Sequence, residues 1–299
     1  MALGTHTAEP IRQRVVFYNV RRCHTPTGNN AGGSEAAIGG DEKVPKLHHS
    51  ATDGYAMAAA HYEKGRPHYP AEVDRWLCHE LALRKGKTAL DLGSGTGKFL
   101  PHLRRTNATI IAIEPVAAML VRLLDGHPGI EAKQGSAEDI PLADASVDAV
   151  VCAQSFHWFA TAEALCEIRR VLKVGGVLGL VWNLRDESVE WVAALRRIFD
   201  AYQGDAPRFH TQEWRKVFPA AGFSSLSETR FLHGHTGPPE HVVTDRVLST
   251  SFIAALPAAE RLRVVAQVEQ LIARTPDLAG KSEVTMPYVT AAFRCQKLP

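Results

Sequence analysis

The 299-residue chain lacks several features that would settle a function class at once. It has no apolar run long enough to span a bilayer, and it has no basic start followed by an apolar block, which argues against a membrane protein or a secretory signal. A net charge of +2 leaves no strong field for nucleic acid or anionic lipid. Its five cysteines (Cys23, Cys78, Cys152, Cys166, Cys295) are scattered, odd in number and without a C-x-x-C pair. That pattern excludes a disulfide framework and points to reduced thiols in the cytoplasm. No set of His, Cys, Asp and Glu has metal-ligand spacing, and His233 and His235 alternate on a strand-like stretch without partners, so no metal is expected. The chain also lacks internal repeats and a basic stripe interleaved with aromatics.

What is present is organised around Leu90-Asp91-Leu92-Gly93-Ser94-Gly95-Thr96-Gly97. It reads as a strand running into a turn with glycines at alternate positions, followed by a helix-compatible run. Such a junction lets a ligand approach the backbone and meet helix N-terminal N–H groups. A phosphate loop of the G-x-x-x-x-G-K-[ST] type does not fit, because Phe99 follows Lys98 and no hydroxyl is available for a metal. A G-x-G-x-x-G dinucleotide turn needs its third glycine where Lys98 stands, and Asp91 would set a negative charge beside a pyrophosphate. A cofactor with a sulfonium and an α-ammonium, S-adenosylmethionine, removes that objection. Glu114, ending the second strand, then supplies an acceptor for ribose hydroxyls, and the loop Ser136-Ala137-Glu138 is placed for adenine.

Along the chain, residues 1–50 are rich in Gly, Asn, Ala and Pro and read as a flexible extension. The Arg cluster there (Arg12, Arg14, Arg21, Arg22) has a poorly developed apolar face for a targeting peptide. Met57 opens a more regular stretch, and residues 51–299 read as one domain, a cofactor half over about 56–183 and a substrate half over about 184–299. Strands are expected at Thr88–Leu92, Thr109–Glu114, Ile130–Gln134, Ser146–Cys152 and Val177–Trp182. Helices are expected from Ala71, after the turn to about Arg105, from Val116 to Leu124, and from Thr161 to Leu172, the last ended by Gly175-Gly176. The alternation predicts a parallel α/β sheet with ligands at the strand C-terminal ends. Beyond Asn183 come helices near Val189–Tyr202, Gln212–Ala220, Glu240–Leu248 and Ala258–Ala273, and strands near Ser227–His233 and Glu283–Arg294.

Four stretches in order carry a resemblance: Ala89 to Gly97, Ile113-Glu114-Pro115, Gly135 to Pro141, and Leu172 to Leu178. Together they resemble the motifs of class I S-adenosylmethionine-dependent methyltransferases. The resemblance covers about Ala56 to Lys297. It implies a Rossmann-like seven-stranded methyltransferase sheet, last strand antiparallel, with helices on both faces and a C-terminal helical cap insertion. A narrower resemblance, to small-molecule methyltransferases related to trans-aconitate methyltransferase, rests on Tyr62 to Pro70, Ala153 to Phe159 and Val181 to Asp186. It implies O-methylation of a small carboxylic acid; the near-neutral charge and the lack of a basic stripe or apolar span argue separately against a nucleic-acid or membrane partner.

The expected cofactor-binding residues are therefore Tyr62, Asp91, Gly93, Gly95, Gly97, Glu114, Ser136, Ala137, Glu138 and Gln154. His157 is a candidate to orient the acceptor or take its proton, and Arg66 a candidate carboxylate clamp, with Arg185 as a second. Tyr62, Arg66 and Tyr69 form a candidate lid, and Trp158 a cation–π partner for the sulfonium. Two other classes stay open at this point: a nicotinamide-dependent oxidoreductase, which Asp91 and Lys98 disfavour, and a non-catalytic protein that kept the cofactor fold.

Overall fold

A computed structural model describes residues 65–299. Tyr62, Met57 and the boundary near residue 50 lie outside the described residues. Seven strands form one sheet in the order β3-β2-β1-β4-β5-β7-β6. They are β1 (Thr88–Leu92), β2 (Thr109–Glu114), β3 (Glu131–Gln134), β4 (Val147–Ala153), β5 (Leu172–Arg185), β6 (Ser227–Gly237) and β7 (Val284–Gln296). The pairs β3·β2, β2·β1, β1·β4 and β4·β5 are parallel, and β7 runs antiparallel between β5 and β6.

Side chains alternate across this sheet with period two, so each strand feeds two cores. On one face Leu90, Leu92, Val150, Cys152, Leu178, Leu180, Trp182 and Phe293 pack under α4 (Ala162–Val171). On the other, Ala89, Ala112, Ala149, Val151 and Val181 meet three helices: α1 (Glu72–His79), α2 (Leu100–Arg105) and α3 (Ala117–Gly126). Helix α4 is N-capped by Thr161, whose hydroxyl accepts from the Ala164 amide. A third core forms the cap. Trp191, Val192, Leu195 and Phe199 of α5 (Glu190–Asp200) pack with Val264 and Val268 of α8 (Ala258–Arg274). Between β6 and α8 the chain makes a π-helical segment, Glu240–Asp245, then α6 (Arg246–Leu248) and α7 (Ser251–Ala254). The first half of β7 (Val284, Met286, Tyr288) belongs to the cap core and its second half to the sheet cores.

Two expectations need correction. The helix expected over Gln212–Ala220 is a pair of 3-10 turns, Phe209–Thr211 and Glu213–Val217, with Gln212 between them at φ 59°. A left-handed residue interrupts an α-helix, and Pro219 prevents its extension. Gly175-Gly176 does not end α4, which stops at Val171; β5 starts at once and the glycines sit in a bulge where the β4 register steps from Val147↔Leu172 to Ala149↔Val177. Among the described residues no helix is long and apolar enough to cross a membrane.

The base of the sheet is tied by Asp148. Its carboxylate accepts from Lys87 Nζ at 2.9 Å, Lys173 Nζ at 2.8 Å and the Thr88 amide at 3.0 Å, joining the starts of β1, β4 and β5. Partial burial alone would raise this carboxyl, but the three donors outweigh it and hold it down to about 2. Because the native value lies below the unfolded one, the stabilisation is present above about pH 4 and is lost as pH falls through about 2. We expect Asp148→Asn to cost about 1–2 kcal/mol at pH 7, solvent at the lysines trimming the rest. Urea unfolding should show the gap between wild type and variant closing between about pH 4 and pH 2; a gap unchanged at low pH would contradict this account.

Candidate active site

The strand order departs from sequence order at β1 and β4, which lie side by side while the chain winds outward from each. In open α/β sheets this is where a crevice opens beyond the strand C-termini. A cleft of about 960 Å³, its mouth included, lies there. Its walls come from five strand ends in spatial order: Glu114 ending β2, Gly93 to Gly95 after β1, Gln154 and Ser155 after β4, Asn183 on β5, and Tyr288 on β7. Arg66, Pro67 and Tyr69 from the segment before α1, and Arg246 from the cap, complete it.

The glycine turn is bent back over β2. Gly93 and Ser94 both donate their amides to the Ile113 carbonyl, at 2.8 and 3.1 Å. Gly93 and Gly95 sit at φ +70° and +59°, which L side chains rarely adopt. A Cβ on Gly93 would fall 2.7 Å from Ser155 Cβ, and the Ser155 hydroxyl donates to Leu92 O at 2.7 Å, so the turn and the β4 end are locked together. A Cβ on Gly95 would meet only Met119 sulfur at 4.0 Å, so here the glycine serves the backbone conformation and leaves the cleft open. Gln154, also at positive φ (60°), turns the chain at the end of β4 and donates to Asn183 O at 3.2 Å. A non-glycine held there is typical of a functional turn.

Glu114 accepts from the Gly95 amide at 2.8 Å and the Val116 amide at 3.0 Å. Burial raises its carboxyl and the two amides partly offset that. Asp91, which lies beneath the glycine turn and does not itself line the cleft, is the unusual group. It is 1% exposed, and neither carboxylate oxygen has a hydrogen-bond partner among the described residues. Burial, with a smaller contribution from the Glu114 charge, pushes it up to about 7. A buried carboxylate left without a donor costs stability unless a cation or donor arrives with a ligand.

Not every expected residue reaches the cleft. Gly97 packs against His127, where a Cβ would lie 2.5 Å from the ring. Ser136 and Ala137 are buried, Ala137 within the core with Ile140, and Glu138 faces solvent; none of the three lines the cleft. The base role expected for His157 is corrected. Its Nδ1 accepts from Trp182 Nε1 at 3.0 Å, and an indole N–H only donates. Burial, aided by Arg208, Arg66 and His210, pushes it down to about 3. A ring so held is a weak base, and it does not line the cleft. Arg66 does line it and donates to Ser249 O at 2.8 Å. Trp158 lines it too.

Sequence reasoning missed Asn183, Arg246, Tyr288 and Ser155 as site residues. Asn183 and Ser155 lie inside stretches already singled out, so a signal existed. Arg246 and Tyr288 carry none, since nothing local distinguishes them. Around Arg246 the charge is cationic: burial and the neighbouring Arg66 and Arg185 push it down to about 9, although Tyr288 favours its charged form. Arg185, whose guanidinium lies 4.2 Å from the Phe199 ring centre, is pushed down to about 10 by burial, as is Arg208. Among the described residues Arg185, Arg208 and Arg246 make no ion pair with a carboxylate.

Fold and site together define a nucleoside-cofactor transferase of the Rossmann-like methyltransferase type. Residues 90–180 match the methyltransferase domain family. An uncharacterized methyltransferase-like protein of Schizosaccharomyces pombe is 39% identical over 241 residues, covering 80% of this chain and 94% of its own length. An uncharacterized methyltransferase of Mycobacterium bovis is 38% identical over 240 residues, again covering 80% and 94%. Among solved structures, a proposed type II methyltransferase of Anaeromyxobacter dehalogenans aligns with a TM-score of 0.58 at 23% identity, covering 78% of this chain and 99% of that one. The chain belongs to the class I methyltransferase family, whose cofactor is S-adenosylmethionine.

The residues present fit that cofactor. Asp91 is an orphaned anion under the turn, suited to a ligand carrying an ammonium and a sulfonium, and Gly95 leaves the approach open. Because Asp91 is raised to about 7, cofactor binding near neutral pH is expected to draw off its proton. Calorimetry in buffers of different ionisation enthalpy should show about one proton released per S-adenosylmethionine bound at pH 6, falling towards zero by pH 8.5 and absent in Asp91→Asn. The same variant should weaken binding at least about tenfold while raising the melting temperature of the unliganded protein, because a buried unpaired charge is removed.

Proposed function

We propose that the enzyme transfers a methyl group from S-adenosylmethionine to a carboxylate oxygen of a small molecule. The observation that carries the reading is the cationic wall: Arg66 and Arg246 line the cleft, and Arg185 and Arg208 lie near enough that Arg66 lowers both, Arg246 lowers Arg208, and Arg185 lowers Arg246. Desolvated arginines that repel one another favour an anionic guest, and a guanidinium grips a carboxylate through two parallel bonds. The narrow cleft, walled by Trp158, Phe159 and Tyr69 as well, suits a small guest over a macromolecule.

S-adenosylmethionine, when bound, supplies an activated methyl group. The chain's contribution is then alignment. Asp91, Gly93, Gly95 and Glu114 are the residues to hold the cofactor, Gln154 and Asn183 mark the middle of the cleft, and Arg246 with Arg66 orient the acceptor oxygen. An ionised carboxylate needs no base, which agrees with the setting of His157 against Trp182. The scattered cysteines suit action in the cytoplasm.

The test is label transfer from methyl-labelled S-adenosylmethionine into a panel of small carboxylic acids, phenols and amines. We expect base-labile methyl esters from acids and no product from amines. For the best acid, Arg246→Lys should lower kcat/KM about tenfold or more, since a point charge replaces a two-pronged donor. Exclusive labelling of phenols or amines would overturn the reading.

A further inference from the structure

The polar wall at the Tyr288 end of the cleft is gripped from behind by residues that do not line it. Thr290, fully buried on β7, donates its hydroxyl to Asn183 Oδ1 at 2.6 Å. A threonine hydroxyl has one proton, so the 3.0 Å contact between the same oxygen and His233 Nε2 is filled by His233 donating. The imidazole, half-buried on edge strand β6, therefore carries its proton on Nε2. Asn183 in turn donates Nδ2 to the His68 carbonyl at 3.3 Å, and its other Nδ2 hydrogen has no partner among the described residues. The relay has one direction: His233 to Thr290, Thr290 to Asn183, Asn183 to His68. Were His233 Nε2 bare, the Thr290 proton would turn to it. Asn183 Oδ1 would lose its donor, and the amide would be free to flip, setting oxygen against oxygen at His68.

The same imidazole supports a second wall residue. It stacks on the Tyr288 ring with centroids 5.5 Å apart and planes at 27°. The Tyr288 hydroxyl accepts from Arg246 Nε at 3.2 Å, and Arg246 Nη1 donates to Thr250 at 3.1 Å. Glu114 and Tyr288 stand on strands four steps apart in the sheet, about 19 Å at ordinary strand spacing. The wall that His233 supports is thus the end remote from the ribose-side acid.

We propose that His233 is a positioning residue for acceptor recognition: through Thr290 it sets the polarity of the Asn183 amide, and through Tyr288 it steadies the Arg246 guanidinium. The proposal rests on reading the Tyr288 end of the cleft as the acceptor site. Asn183 then presents an N–H, not a carbonyl, to an anionic acceptor, in keeping with the arginines beside it. An edge-strand residue outside the cleft sets the preference for anions.

The test uses the full chain with S-adenosylhomocysteine bound. The side-chain amide resonances of Asn183, identified by their loss in Asn183→Asp, should shift in Thr290→Val and in His233→Phe, which keeps a ring but loses the donor. His233→Gln, which supplies an N–H, should restore them. Binding of benzoate and succinate as carboxylate probes, measured by calorimetry, should weaken about 3- to 10-fold in the first two variants, the worth of one hydrogen bond. The S-adenosylhomocysteine affinity should stay within about twofold. Unchanged Asn183 resonances in both variants would overturn the proposal, and so would an equal loss of S-adenosylhomocysteine affinity. A wild-type protein that binds neither probe would instead overturn the acceptor reading, leaving the amide resonances to decide the relay alone.

Discussion

Two amides, of Gly93 and Ser94, share one carbonyl, that of Ile113. This junction folds the β1 turn back across β2 and fixes how the Gly95 amide meets Glu114 at 2.8 Å. It also sets the turn over Asp91, sealing a carboxylate into an otherwise apolar sheet face without a donor among the described residues. The β4 end is fastened to the same turn by Ser155, whose hydroxyl reaches Leu92 O and whose Cβ leaves room only for glycine at position 93. The cleft opens above this junction, where the chain winds outward from β1 and β4.

The cleft is electrostatically polar from end to end. Asp91 and Glu114 at one end are acids raised by burial, and Arg246, with Arg185 and Arg208 near it, at the other are bases lowered by burial. Both sets are destabilising in the empty protein and both are relieved by a ligand of opposite charge. On the proposed function, a cation-bearing cofactor and an anionic acceptor would fill the two ends. The protein stores the cost of desolvation in advance, so binding does not have to strip water from these groups. The sheet bears that cost elsewhere, in three continuous apolar cores and in the Asp148 tie at its base.

Legibility in the sequence followed range of interaction. β1 and β2 were read to the residue, because continuous apolar runs bounded by turn residues encode buried parallel strands locally. The glycine turn, Asp91 and Glu114 were singled out by local pattern too, since each lies in or beside the end of a strand that its own apolar run marks. The stretch 212–220 was not, since its helical spacing is overridden by a left-handed Gln212, a backbone choice made by packing of Trp214 against Trp182 and Phe293. His157 carried a catalytic-looking neighbourhood, yet its Nδ1 is taken by the indole N–H of Trp182, 25 residues away.

The sequence by itself determined the alternation of strands and helices through β5, the glycine turn and the acid that ends β2, because each depends on spacing within a few residues. Only the tertiary structure decided the far wall. Arg246 opens the short helix α6 of the cap, just past the π-helical segment, and Tyr288 comes from an antiparallel strand, and Asn183 takes its orientation from Thr290 and His233, 107 and 50 residues away along the chain. Hydrogen-bond direction and mutual charge repulsion act over ångströms in space, and nothing in linear spacing records them until the sheet brings these residues together.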